Sequence, residues 1–142
     1  MTTTLIDLKN TTVAGVTNIP AAAVTGSVTT GATAVDLLTA EGPIHAVVSN
    51  GATDFAGLDE TYTFAVYESD SSGGAYTAIT GATGTVTAAN QVLIISTGQR
   101  TKRYVKLYMT AVGASTSIVY SGIFLAKKKI TGSGGGTVTS TS

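Results

Sequence analysis

Alternation of apolar and polar residues with a period of two recurs along this chain of 142 residues and limits what it can fold into. The clearest case is ETYTFAVYES, residues 60–69, which puts Tyr62, Phe64 and Val66 on one face and threonine, alanine and tyrosine on the other. Strands have this period because successive side chains point to opposite faces of a sheet. Leu, Glu and Lys are too sparse to form helical stripes, so the sequence predicts an all-β protein.

Short segments rich in Thr, Val, Ile and Ala predict the remaining strands, at residues 32–38, 43–50, 75–79, 84–89, 91–97, 103–112 and 116–126. The dipeptide Asn50-Gly51 predicts a tight turn, since glycine tolerates positive φ. The run DSSGG, residues 70–74, predicts the turn of a hairpin. Eight short strands joined by glycine-rich turns predict an antiparallel β-sandwich of jelly-roll-like type.

The chain has the length of one domain, and three ranges differ in composition. Residues 27–130 hold the predicted sandwich, residues 1–26 are expected to form an extended N-terminal arm, and residues 131–142 a flexible Gly/Ser/Thr-rich tail. Within the sandwich, VLII (residues 92–95) is apolar on both faces. That pattern predicts a strand that is buried on both sides or covered by a neighbouring subunit.

The charged residues are separated along the chain although the formal net charge is zero. All eight acidic residues precede residue 71, and seven of the eight basic residues follow residue 99. One interpretation is that acidic and basic strands become neighbours and pair within the molecule. The other is that oppositely charged faces dock copies head to tail or onto a larger surface.

Residues suited to catalysis or metal binding are few. Cysteine is absent, which excludes disulfides and thiolate sites. His45 is the only histidine, lies in an apolar segment and has no nucleophile motif to serve, so a structural role is expected. Acidic pairs such as Asp59 and Glu60 fit turns better than cation loops. We therefore expect no catalytic residues, cofactor or metal, and a protein that is not an enzyme.

No apolar run approaches the roughly 20 residues that span a membrane, and the first residues, MTTTLIDLKN, do not have the composition of a secretory signal. We therefore expect no membrane partner and a protein that stays in the compartment where it is made.

The segment RTKRYVKLYMT, residues 100–110, concentrates basic and aromatic residues. Nucleic-acid binding, a solvated or internally paired strand face, and a protein interface all fit that pattern, but the zero net charge argues against nucleic acid. Val105, Leu107 and Met109 are expected to face the core. The candidate protein-interface residues are the basic residues Arg100, Lys102, Arg103, Lys106, Lys127, Lys128 and Lys129.

Three motifs occur in a characteristic order: Glu68-Ser69-Asp70 followed by Tyr76-Thr77, then Lys102-Arg103-Tyr104-Val105, then an apolar segment from Ser117 to Ala126. Over residues 30–128 this order resembles small virion proteins encoded among the head genes of tailed bacteriophages. The best-defined role in that class is capsid decoration, or cement.

Such proteins are β-sandwich or jelly-roll proteins, often trimeric, that sit outside the icosahedral shell and tie major capsid subunits together. The resemblance implies a virion location on the capsid surface after synthesis in the host cytoplasm. It also implies the major capsid protein and further copies of this chain, with a trimer favoured, as partners.

Two other functions fit the same residues. Within a virion, the chain could be a tail, adaptor or fibre-base component, since small β-proteins of heads and tails share this texture. In a different class, it could be a glycan-binding β-sandwich module, in which exposed tyrosines line a groove. The tyrosines that such a module could use are Tyr62, Tyr67, Tyr76, Tyr104, Tyr108 and Tyr120.

Overall fold

The computed structural model describes residues 11–18, 22–29, 31–98 and 100–129, and within them it contains eight β-strands. The strands are β1 (Thr11–Asn18), β2 (Val35–Asp36), β3 (Ala40–Thr53), β4 (Thr61–Ser69), β5 (Thr77–Val86), β6 (Val92–Ser96), β7 (Tyr104–Val112) and β8 (Ile118–Lys128). They form two four-stranded antiparallel sheets, the first in the order β1-β8-β3-β6 and the second in the order β2-β7-β4-β5. The predicted all-β sandwich is confirmed.

Each strand of the first half of the chain pairs with a strand of the second half. β1 pairs with β8, β2 with β7, β3 with β6, and β4 with β5. This is the pairing of one long hairpin that turns between β4 and β5. Further pairing of β3 with β8 and of β4 with β7 divides the hairpin into two layers.

The core lies between the two sheets and is built by the alternation seen in the sequence. Phe64 of β4 meets Tyr120 of β8 edge to face, with ring centroids 5.0 Å apart. Val105, Leu107 and Met109 of β7 are buried as predicted. The layers approach closely at Gly122, where a Cβ atom would lie 2.9 Å from Leu107 Cδ2. A larger residue at position 122 would push the sheets apart.

The predicted turn at Asn50-Gly51 is wrong, because β3 continues through both residues to Thr53. Asn50 is buried, and its Nδ2 donates hydrogen bonds to Thr53 Oγ1 at 2.8 Å and to the Ala88 carbonyl at 3.0 Å. Its Oδ1 accepts from the backbone N–H of Gln91 at 3.1 Å. The side chain thus fastens the β5–β6 connection to β3, and the dipeptide forms an irregularity in the strand.

Three further differences from the sequence prediction change which strands exist or how long they are. Residues 11–18, expected to belong to the arm, form the edge strand β1. The strands predicted at 75–79 and 84–89 are one strand, β5, whose register with β4 shifts near Gly81 at φ 81°. The strand predicted at 32–38 is reduced to the two residues of β2. Residues 1–10 of the arm and the tail at 131–142 lie outside the described residues, so those expectations stay predictions.

Candidate interaction surfaces

One end of the sandwich gathers most of the charged residues, because β2 connects to β3 there, β4 and β8 end there, and β7 begins there. We call it the charged end. Three ion pairs join acids of the first half of the chain to bases of the second: Asp36 with Arg103 at 2.7 Å, Glu41 with Lys127 at 3.4 Å, and Asp70 with Lys102 at 3.5 Å. Three of the eight acidic residues therefore pair with bases from the other half of the chain within the molecule.

A buried carboxylate at the charged end fixes the loop that enters β7. Glu68 accepts hydrogen bonds from the Thr101 backbone N–H at 2.9 Å, the Thr101 hydroxyl at 2.8 Å and the Lys102 backbone N–H at 3.1 Å. Burial alone would raise the pKa of Glu68, but these three bonds and the charge of Lys102 outweigh it and hold the pKa below its usual value. The glutamate of the Glu68-Ser69-Asp70 motif is thus a structural clamp.

Arg100 is partly buried, and its guanidinium is engaged by backbone carbonyls of the same chain. Its guanidinium donates hydrogen bonds to the carbonyls of Ala40 at 2.6 Å, Lys102 at 2.9 Å and Leu37 at 3.4 Å. Its Nε is buried without a hydrogen-bond partner in the described part of the chain. Arg100 therefore links the β2–β3 connection to the loop before β7, and its place in the predicted interface set stays a prediction.

Arg103 and Lys106 lie on the outer face of the second sheet, where they contact acidic and aromatic side chains. Arg103 donates to both carboxylate oxygens of Asp36, at 2.8 and 2.7 Å. That bond lowers the pKa of Asp36 and raises the pKa of Arg103. The Arg103 guanidinium also lies 5.0 Å from the centroid of the Tyr104 ring, and Lys106 Nζ lies 4.7 Å from that of Tyr76. Both cations thus have partners within the chain.

The tyrosines of the same face pack on one another. Tyr67 and Tyr108 stack with centroids 4.0 Å apart and an interplanar angle of 18°. The Tyr76 hydroxyl donates to the Ser72 carbonyl at 3.0 Å, which fixes its ring beside the sheet. Burial, together with the neighbouring Tyr108 and Tyr104, raises the pKa of Tyr76. Stacking covers one ring face of Tyr67 and one of Tyr108. A bound sugar would need such ring faces free.

Lys128 and Lys129 are the cations of the predicted interface set that point away from the molecule. Both are exposed at the end of β8, and neither has an acidic partner among the described residues. The backbone N–H of Lys129 donates to the Thr39 carbonyl at 2.8 Å, which holds the end of the strand in place. Of the seven predicted residues, these two are best placed to meet an acidic partner.

The middle of the outer face of the first sheet is rich in aliphatic side chains, which the choice of basic interface residues missed. Pairing aligns four aliphatic side chains in one row across the sheet: Val16 of β1, Ile123 of β8, Val47 of β3 and Ile94 of β6. Adjacent rows add Val13 opposite Leu125, and Val92 opposite Ser49. We call the seven residues Val13, Val16, Val47, Val92, Ile94, Ile123 and Leu125 the aliphatic face.

Charge is excluded from the aliphatic face. The strand segments that form it, at 13–16, 44–50, 92–96 and 118–126, contain no Asp, Glu, Lys or Arg. Three rows of side chains across four strands about 4.8 Å apart cover roughly 400 Å², and that area includes His45 and three serines, Ser49, Ser96 and Ser121, beside the seven aliphatic residues. The solvated face of an antiparallel sheet is usually polar, so an uncharged row of aliphatic side chains there makes this face a candidate interaction site. The sequence signal for this surface was VLII, which predicted a strand covered by a neighbouring subunit. A partner on the aliphatic face would explain that pattern.

His45 lies on the aliphatic face between Leu125 and Ser96, and its Nδ1 is hydrogen-bonded to Ser96 Oγ at 2.9 Å. Burial lowers the pKa of His45 below 6.5. Because the unfolded chain then binds a proton more readily than the folded one, we expect stability to fall as the pH drops from 7.5 through 6.5, by at most about 1.4 kcal/mol per pH unit.

Urea unfolding of the wild type and of His45→Gln at pH 7.5 and 5.5 measures this effect. The variant is expected to lose the difference between the two pH values. An equal difference in both proteins would assign the pH dependence to other groups.

A scan against protein-family models, a search of curated proteins and a search of solved structures each return no match for this chain. Within the described residues, no group of three or more histidine, aspartate or glutamate side chains is arranged to hold a metal ion. The same residues include no helix with the length and apolarity needed to cross a membrane.

Proposed function

We propose that the chain is a non-enzymatic structural protein of a bacteriophage virion, a capsid decoration or cement protein. It binds the outer surface of the head and bridges subunits of the major capsid protein. The observation that carries this proposal is the aliphatic face, an uncharged surface on a rigid sheet whose exposure to water is unfavourable until a partner covers it.

We also infer that the sandwich is a jelly roll. The four pairings β1–β8, β2–β7, β3–β6 and β4–β5 are those of a single long hairpin rolled into two layers. This inference supports the proposal because jelly-roll architecture is frequent among viral structural proteins.

The motifs that resemble phage head proteins have structural roles that fit the proposal. Glu68 of the first motif binds the loop that contains Lys102 of the second, and Phe124 of the third lies in the core. They maintain the sandwich, while the aliphatic face and the exposed Lys128 and Lys129 supply contact surfaces. The sheet area of roughly 400 Å² that holds the aliphatic face is half the area that one partner of a standard interface buries, so firm attachment requires several copies acting together.

The proposal is tested with heads assembled with and without this protein. Heads that lack it are expected to release their DNA at a lower temperature, and adding the purified protein is expected to restore resistance. Labelling with gold-conjugated antibody should then mark the whole head surface. Label confined to one vertex or to the tail would instead support a tail, adaptor or fibre-base component.

A further inference from the structure

The edge of the first sheet at β6 differs from the other three sheet edges. β1 shifts register with β8 at two places, β2 has only two residues, and β5 shifts register near Gly81. Bulges and short edge strands are the devices that prevent pairing with other chains. β6, with the sequence VLIIS, keeps an unbroken register with β3 and contains no charge, proline or glycine. It is the unprotected edge among the described strands.

The backbone of β6 presents hydrogen-bonding groups away from β3. The Thr97 N–H donates to the Ile44 carbonyl, and the Gln91 carbonyl accepts from the Asn50 N–H, both at 3.0 Å. In an antiparallel ladder, residues that bond to a neighbour alternate with residues that do not. Val92 and Ile94 therefore direct N–H and C=O groups outward, and no described residue outside β3 pairs with them.

The same two residues have exposed aliphatic side chains. Val92 is 62% exposed and Ile94 48%, and both belong to the aliphatic face. Unpaired backbone groups and exposed apolar side chains thus coincide at one edge. An extended strand with apolar side chains on one face would satisfy both at once.

We propose that β6 pairs antiparallel with β6 of a second copy about a two-fold axis beside Ile94, the middle residue of the strand. Ile94 of each copy then exchanges backbone hydrogen bonds with Ile94 of the other, and the two first sheets become one eight-stranded sheet. In a two-fold interface the same strand of both copies comes together, so charged residues on that strand would face like charges and repel each other. The uncharged composition of β6 removes that penalty, which makes a second copy the fitting occupant.

Pairing at this edge also extends the aliphatic face. Two copies joined through β6 bring their aliphatic faces side by side on one sheet surface of roughly 800 Å², the area that one partner of a standard interface contributes. The proposed contact between copies does not depend on the capsid proposal, because the capsid proposal concerns the partner that binds the aliphatic face and not the partner at the β6 edge. It also predicts a two-fold unit instead of the trimer that the resemblance implies.

The first test uses the absence of cysteine from the chain. Ile94→Cys places two thiols opposite each other about the axis, with Cα atoms about 5.5 Å apart, a separation that disulfides span. Mild oxidation is expected to give a covalent dimer. The matched control is Thr85→Cys, an exposed position on the edge strand β5 of the other sheet, which is expected to stay monomeric. Equal crosslinking of both variants would overturn the proposal.

The second test measures the interface without a covalent bond. Because small interfaces are weak, the wild type should be studied by sedimentation at protein concentrations up to about 1 mM, where a dimer is expected. Ile94→Lys puts like charges opposite each other and is expected to weaken the dimer at least about tenfold, while Thr85→Lys leaves it unchanged. Far-UV circular dichroism should show that both variants remain folded.

Amide exchange identifies the contact, because strand pairing protects the Ile94 N–H and a contact through side chains alone does not. Slower Ile94 exchange at high protein concentration supports the proposal. A monomer at about 1 mM, a trimer, or a dimer without that protection would overturn it.

Discussion

Replacing Glu68 by alanine is expected to lower the free energy of unfolding by about 3 kcal/mol. Hydrogen bonds to a charged group contribute more to stability than neutral ones, and their loss leaves buried donors without an acceptor. The Thr101 and Lys102 N–H groups would lose their acceptor, and the loop that enters β7 would lose its attachment to β4. Urea unfolding at pH 7 measures the change.

Two controls isolate the role of this carboxylate. Asp70→Asn removes the neighbouring acid, whose side chain is 82% exposed and pairs with Lys102 at 3.5 Å, and it should change stability by less than about 0.5 kcal/mol. Glu68→Gln retains one acceptor oxygen and should fall between alanine and wild type. If Glu68→Ala matched Asp70→Asn, the clamp would not contribute to stability.

The stability difference between wild type and Glu68→Ala should depend on pH in one direction. The pKa of Glu68 is lowered in the folded chain, so its contribution is present above the unfolded value near 4.5 and is lost as the pH falls through the folded value. The difference between wild type and Glu68→Ala should therefore shrink in acid. A difference that grew below pH 4.5 would contradict the lowered pKa.

The sequence predicted the elements in which local alternation and packing agree. β4 and β7 were located within one residue because most of their inward positions, such as Phe64 and Leu107, are apolar; Glu68 at the end of β4 is the charged exception. β1 was missed because its segment, TTVAGVTN, alternates weakly and is held as a strand by pairing with β8. The turn at Asn50-Gly51 failed since long-range bonds to residues 88 and 91 override the local preference of the dipeptide.

The site was harder to predict because register decides which charges meet. Lys102 and Arg103 are adjacent in sequence, yet one pairs with Asp70 and the other with Asp36, from different parts of the chain. Basic composition suggested an external interface, and the fold pairs three of those seven bases, Lys102, Arg103 and Lys127, with acids of the same chain. The aliphatic face needed the order of strands β1-β8-β3-β6 before its residues could be seen as one surface.

If the proposed capsid role holds, a lysine in place of Ile123 is expected to weaken binding to heads at least about 100-fold while leaving the fold intact. Ile123 lies between Val16 and Val47 in the central row of the aliphatic face and points away from the core. In the free protein the lysine remains in water, and stability should change by no more than about 1 kcal/mol. Against an apolar partner the ammonium loses its hydration without gaining a counter-charge, which is costly.

Binding is measured by co-sedimentation of purified protein with heads assembled without it. We expect Ile123→Lys to bind at least about 100-fold more weakly than wild type, equivalent to about 2.7 kcal/mol. Thr63→Lys is the matched control, since Thr63 occupies the outer face of the second sheet in the middle of β4 and hydrogen-bonds to Thr85. If Thr63→Lys prevented binding and Ile123→Lys did not, the second sheet would be the docking surface.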